Sequence, residues 1–244
     1  MRNTAKQTNP NQLINHIKSV KPSVVPIAFA QPTLQPGEVN LNIVGSGFVV
    51  SKEGYICTCA HVISGKQGQL QVGVKENGNY VWAPAQPSVV DNERDIAIIK
   101  LPPPKDKKIE FLPLKLSDSS KVVEGQEIAF TGFPFGGMTG GGFAPSTTKG
   151  IISAFRPKNI GGVDINHFQL DAVTMEGNSG APVFDAETGE VVGIVNARFD
   201  PLMLGNIPQV IIGGRPLGIS TNIGFAIPIN LVKQVIQVVL EKRS

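Results

Sequence analysis

From residue 24 to residue 228 the chain reads as a succession of short apolar runs, each stopped by glycine, asparagine or proline. Runs of that length are strands, and punctuation this frequent leaves no room for long helices. A first series comprises VVPIAF, NIVGSGFVV, GYICT, LQVGV, YVWAPAQPSVV and DIAIIKL, and it ends near residue 100. The proline-rich, charged link PPPKDKK (102–108) precedes a second series: EIAFTGF, TKGIISAF, NHFQLDAV, APVFD, GEVVGIVNA and NIGFAIP. Two series of about six strands, a link and a terminal helix predict an all-β chain folded as two small antiparallel barrels side by side. The ends differ. NPNQLINHIKSV (9–20) opens with Asn9 as N-cap and Pro10 at the first helical position, with Leu13, Ile14 and Ile17 at helical spacing. INLVKQVIQVVLEKRS closes the chain, with Leu231, Val235 and Val238/Val239 forming an apolar stripe.

Several function classes drop out at once. A net charge of +3, evenly spread, gives no basic face for nucleic acid. No apolar run is long enough for a membrane-spanning helix. The segment KSVKPSVVPIAFAQP mimics a signal peptide with Ala28-Phe29-Ala30 as cleavage site, but its apolar run is short and broken by Pro26, so it reads as the first strand. Cys57 and Cys59 stand two apart on one strand, on the same face, where they cannot easily pair with each other. Two free thiols and no export signal predict a cytoplasmic protein. They supply half a zinc site with no second ligand pair at suitable spacing, so no metal or cofactor is expected and both read as small core residues.

Candidate chemistry centres on MEGNSGAPVF (175–184). Ser179 between glycines is either a turn or a nucleophile, and a serine hydroxyl needs a base, an orienting acid and oxyanion donors before it can attack a carbonyl. Three histidines limit the search for the base. His16 falls in the N-terminal helix as a solvated or packing residue, and His167 falls on a surface strand. His61, in GYICTCAHVIS, follows directly on a strand end. Asp95 heads the apolar strand IAIIKL, where a carboxylate is costly to bury without a partner. The order His61, Asp95, Ser179 is that of one known triad arrangement.

With those residues in place, the sequence resembles the chymotrypsin-fold serine proteases, and among them the protease domain of the HtrA (Deg) family. The matching segments are VKPSVVPI, GSGFVVSKEGYICTCAHVI, RDIAIIKL, EIAFTGFPFG, TKGIISAF, LDAVTMEGNSGAPVFD, GEVVGIVNA and GFAIPIN. The resemblance implies two six-stranded barrels with the active site between them: residues 1–21 as an N-terminal segment, 22–115 as the barrel with His61 and Asp95, 116–228 as the barrel with Ser179, and 229–244 as the C-terminal helix. It implies His61 as general base, Asp95 as its orienting acid, Ser179 as nucleophile, and an oxyanion hole from the N–H groups of Gly177 and Ser179, with Asn178 between them. The chain departs from the family in reading TCAHV for TNNHV and MEGNSGAP for NPGNSGGP. No PDZ module is expected after the helix, and the N-terminal segment lacks the aromatic residues of the family's trimers, so a homo-oligomer is left open.

Around the pocket for the residue before the cleaved bond, the resemblance implies Thr174 and Met175 on one wall and Val195, Asn196, Ala197 and Arg198 on the other. Val173 stands about where trypsins carry the floor aspartate. The expectation is a pocket for small aliphatic side chains, with Arg198 favouring an acidic one as the alternative. The loop 199–222, rich in Leu, Ile, Val and Gly, reads equally as a lid or contact surface and as a plain hairpin. FPFGGMTGGGFAP (133–145) lies where the family has a mobile activation loop. Polypeptides are the expected partners and substrates, and the expected function is a serine endopeptidase acting on unfolded or flexible proteins. The rival is a latent protease or chaperone-like peptide-binding module that needs an activator.

Overall fold

The computed structural model describes residues 10–33, 38–76, 78–103, 110–134, 144–196, 211–212, 215–216 and 222–241. The first series of runs forms β1 (Val24–Pro32), β2 (Val39–Val49), β3 (Tyr55–Thr58), β4 (Gln69–Glu76), β5 (Asn79–Pro84), β6 (Gln86–Asp91) and β7 (Ile96–Lys100). They pair as one seven-stranded sheet in the order β5-β4-β1-β2-β3-β7-β6. This corrects the expected six-stranded closed barrel. YVWAPAQPSVV is two strands, because the chain leaves one rim at Pro84 and joins the other at Gln86, with only Ala85 between. Ala85 donates its N–H to the Leu70 carbonyl at 3.0 Å. Pro84 and Pro87 have no N–H to extend a ladder across that gap. Rims one residue apart force the sheet to curl on itself, so it is a half-barrel without a closing ladder.

The second series forms β8 (Glu127–Gly132), β9 (Ser146–Ile160), β10 (Val163–Asp171), β11 (Pro182–Asp185), β12 (Val191–Asn196) and, after a two-residue pair of β13 (Ile211–Ile212) and β14 (Arg215–Pro216), β15 (Ile223–Pro228). Six of these strands close a barrel in the order β10-β15-β12-β11-β8-β9. Its interior holds Ile128, Phe130, Ile152, Phe168, Leu170 and Val183, all buried. The β13–β14 pair is a small hairpin inside the 199–222 loop.

Each terminal helix packs on strands from the far end of the chain. In α1 (Pro10–Val20), Leu13 and Ile17 pack against Phe133, Ala129 and Phe184 of the closed barrel, while Ile14 stays 47% exposed. Pro10 is the first helical residue, as its lack of an N–H predicts. The expected Asn9 cap lies outside the described residues. After α2 (Ala60–Ile63), the third helix, α3 (Ile229–Glu241), presents Leu231, Val232, Val235 and Val239 to the core of the open sheet. Val238, also expected in that stripe, points outward. No helix among the described residues is long and apolar enough to cross a membrane.

Candidate active site

His61 owes its position to the end of β3. After Thr58 the chain stays extended through Cys59 and then turns into the single helical turn of α2, whose second residue is His61. Asp95 sits at the end of the β6–β7 turn. There Asp91 accepts the Arg94 N–H on Oδ1 at 2.9 Å and the Arg94 guanidinium on Oδ2 at 3.0 Å. Asp95 itself has φ +58, the only positive value at a non-glycine residue among those described. Aspartate is among the residues that tolerate this region best. The turn aims both carboxylate oxygens at one residue. Oδ1 accepts the His61 backbone N–H at 2.8 Å, and Oδ2 lies 2.7 Å from His61 Nδ1. A carboxylate only accepts, so Nδ1 carries the hydrogen and Nε2 keeps its lone pair.

Ser179 lies in a tight loop before β11. Asn178 N–H donates to the Met175 carbonyl at 3.0 Å, Ala181 N–H to the Asn178 carbonyl at 2.9 Å, and Gly180 N–H to the Val195 carbonyl at 2.8 Å. Gly180 has φ +86, and a Cβ there would stand 2.1 Å from the Ser46 carbonyl oxygen and 2.3 Å from Thr58 Oγ1. The serine loop is therefore pressed directly against the end of β3 that delivers His61.

Ser46, which the sequence reading missed, joins the two. Its N–H donates to the Ser179 carbonyl at 2.9 Å and its carbonyl accepts the Thr58 hydroxyl at 2.7 Å. Its hydroxyl donates to the Gly177 carbonyl at 2.7 Å and accepts the Phe133 N–H at 2.9 Å. The signal in the sequence is GSGF: Gly45 lies where a Cβ would meet Val62 and the Ser179 carbonyl, and Gly47 where one would meet the Cys57 carbonyl.

Of the expected oxyanion donors, the N–H groups of Gly177 and Ser179 find no acceptor among the described residues, whereas the Asn178 N–H is used inside its own turn. Gly177 has φ +93, which a side chain would resist. On the expected pocket walls, Thr174 is half-buried with its methyl against Gly224 of β15, where a Cβ would stand 2.5 Å away. Met175 is 38% exposed. Val195 brings only its backbone to the site, because its side chain is buried in the barrel core. Asn196 is half-buried opposite Phe225. Ala197 and Arg198 lie outside the described residues, as does most of the 133–145 loop.

Both cysteines are free and fully buried. Cys59 stands just past the end of β3, and its Sγ points at the Val195 carbonyl, 3.3 Å away. Its thiol is held well above the usual range, first by burial and then by the Asp95 charge. Donor atoms of Cys59, His61 and Asp95 nevertheless lie within 4.8 Å of one another, a three-ligand group that the sequence spacing did not reveal. His167 corrects another expectation. It is buried rather than on the surface, with neither ring nitrogen partnered among the described residues. Burial first, and then the Lys158 charge, push its pKa down to about 4, with Asp95 pulling the other way. His16 bonds through Nε2 to the Glu187 carbonyl at 2.9 Å, away from the site.

The family model for a trypsin-like peptidase domain matches residues 45–194. A probable periplasmic serine endoprotease, DegP-like, of Brucella suis is 36% identical over 211 residues, which is 86% of this chain and 35% of that protein. Serine protease HTR4 of Rattus norvegicus is 30% identical over 233 residues, 93% of this chain and 40% of that protein. The chain thus spans well under half the length of these relatives. Among solved structures, the HtrA-type protease AlgW with tripeptide is similar at TM-score 0.66 and 28% identity, covering 95% of this chain and 64% of that one. The periplasmic relatives, with another in Bartonella henselae, overturn the expectation of a cytoplasmic protein. The thiols misled because both are buried, and burial keeps a cysteine unpaired in any redox compartment. The chain belongs to the trypsin-like peptidase family, and within it to the HtrA type.

Proposed function

We propose that this chain is a serine endopeptidase that cleaves extended segments of unfolded or flexible polypeptides through an acyl-enzyme. Ser179 Oγ attacks the scissile carbonyl while His61 Nε2 takes its proton. His61 then returns that proton to the leaving amine, and the same base activates water to release the acyl group. Asp95 fixes the imidazole tautomer and stabilises the positive charge that develops on the ring. The free N–H groups of Gly177 and Ser179 receive the oxyanion. The observation that carries this reading is the double hold of Asp95 on His61, 2.8 Å to the backbone N–H and 2.7 Å to Nδ1. A merely structural aspartate at a strand start does not need both contacts. The pocket takes small aliphatic side chains, since neither Thr174 nor Gly224 brings a charge. The functional division of the chain at 115/116, with base and acid before it and nucleophile after it, is part of the same reading.

The test is hydrolysis of a peptide series varied at the residue before the cleaved bond. Ser179→Ala lowers kcat by about five orders of magnitude or more while the thermal midpoint stays put. Hydrolysis at the wild-type rate in that variant removes Ser179 from the mechanism.

A further inference from the structure

We propose that Cys59, His61 and Asp95 form an inhibitory binding site for one thiophilic divalent cation, zinc or cadmium. The three residues offer one sulfur, one imidazole nitrogen and one carboxylate oxygen, all within 4.8 Å of one another. That is a donor set zinc takes, and a tetrahedral ion with bonds of about 2.0–2.3 Å spaces its donors roughly 3.3–3.8 Å apart. The imidazole Nδ1 and Asp95 Oδ2, now 2.7 Å apart, part to admit it, while the donors furthest apart close in. Three protein ligands leave the fourth position to water. Cys59 follows β3 in extended conformation, and its S–H now donates to the Val195 carbonyl at 3.3 Å, a bond given up when the sulfur takes a metal instead. Cys57, inside β3 and paired with Phe48 and Ile98, does not belong to the group. The buried sulfur is reached past the imidazole, whose side chain is 22% exposed, and the Asp95 carboxylate, which is 13% exposed.

Binding is an exchange of protons for metal. The Cys59 thiol releases its proton to solvent, and the cation takes the place of the Nδ1 hydrogen now pointed at Asp95 Oδ2. A neutral imidazole metallated on Nδ1 carries its hydrogen on Nε2. Nε2 then has no lone pair for the Ser179 proton, and Asp95 is occupied as a ligand, so the bound ion silences the site without touching the serine. The inhibitory half of this proposal rests on the role of His61 as base given above; the binding half does not.

The two halves are read separately by titrating the metal-free full chain with Cd2+. Ultraviolet thiolate-to-cadmium charge transfer reports binding, and peptide hydrolysis is followed in parallel. The expected result is one Cd2+ per chain, with a band that is lost in Cys59→Ser and kept in Cys57→Ser. Hydrolysis falls in step with the band. In Cys59→Ser, the Cd2+ needed for half-inhibition of that variant's own activity rises by more than the roughly 10- to 100-fold that outer partners of a metal site contribute. Asp95→Asn weakens Cd2+ binding while leaving the thiol in place, a second readout should Cys59→Ser fold poorly by circular dichroism. No band, a band that survives Cys59→Ser, or unchanged affinity in Asp95→Asn overturns the site. A normal band with undiminished hydrolysis overturns the inhibition. A normal band on a protein that hydrolyses nothing even without metal sinks the protease reading and leaves the binding site standing.

Discussion

The two halves of this molecule solve the same folding problem differently. The C-terminal half closes its own ladder, six strands in a ring, and holds Ser179 on a loop whose Gly180 amide is tied to β12 and whose Asn178 and Ala181 amides are tied within its own turn. The N-terminal half leaves its seven-stranded sheet unclosed and holds His61 and Asp95 on two turns at its margin. What the open sheet lacks in ladder it gains from outside: α3, at the far end of the chain, packs Leu231, Val232 and Val235 into its core. Ser46 and Gly180 then lock the two halves where the Ser179 loop meets the end of β3 that leads to His61. Alignment of the site is thus a property of the junction more than of either half.

The acid on the open half gives the largest test of that view. Asp95→Asn preserves shape but removes the acceptor that selects the Nδ1–H tautomer, and kcat is expected to fall about 10^4-fold with little loss of stability. Steady-state kinetics beside a thermal melt separate the two, and an unchanged kcat would detach Asp95 from the chemistry. Next comes the junction. Gly180→Ala combines a left-handed backbone with a Cβ 2.1 Å from the Ser46 carbonyl, and about 2–4 kcal/mol of destabilisation is expected by denaturant titration. A neutral result would mean the halves are not pressed together there.

The external support of the open sheet is tested by Leu231→Ala, expected to cost about 2–4 kcal/mol by the same titration, against Val238→Ala, expected within about 0.5 kcal/mol because Val238 is 43% exposed. Equal effects would deny α3 its clamping role.

The smallest effect concerns pH. Burial pushes the His167 pKa down to about 4 when folded, from an ordinary histidine value of 6.5. The unfolded chain therefore binds the proton first, and stability is lost as pH falls from about 6.5 towards 4. Between pH 7 and pH 5 the loss is on the order of 2 kcal/mol, and His167→Phe is expected to remove it. The same slope in both proteins would show that His167 is not the group responsible.

The strands and the Ser179 loop were legible because alternation and glycine placement are local signals. What escaped is what only the assembled chain creates. YVWAPAQPSVV reads as one strand because nothing local announces that Pro84 and Gln86 lie on opposite rims of a curled sheet. His167 reads as a surface residue from its place after a glycine turn. Yet the β9–β10 hairpin folds back on the turn that carries Asp95, bringing Gly161 against Glu93. Cys57 and Cys59 both lie in the core of the open sheet, but only the fold shows that Cys59 also comes within reach of Asp95 and His61. Ser46 has no chemistry of its own to betray it, only two flanking glycines.

Ser179 as an activated nucleophile, assembled across the junction of two unlike halves, is tested by labelling with a fluorophosphonate probe followed by peptide mass spectrometry. The expected result is one phosphonylated residue, Ser179, with labelling abolished in Ser179→Ala and strongly slowed in Asp95→Asn. A folded protein that takes no label, or takes it at another serine, contradicts it.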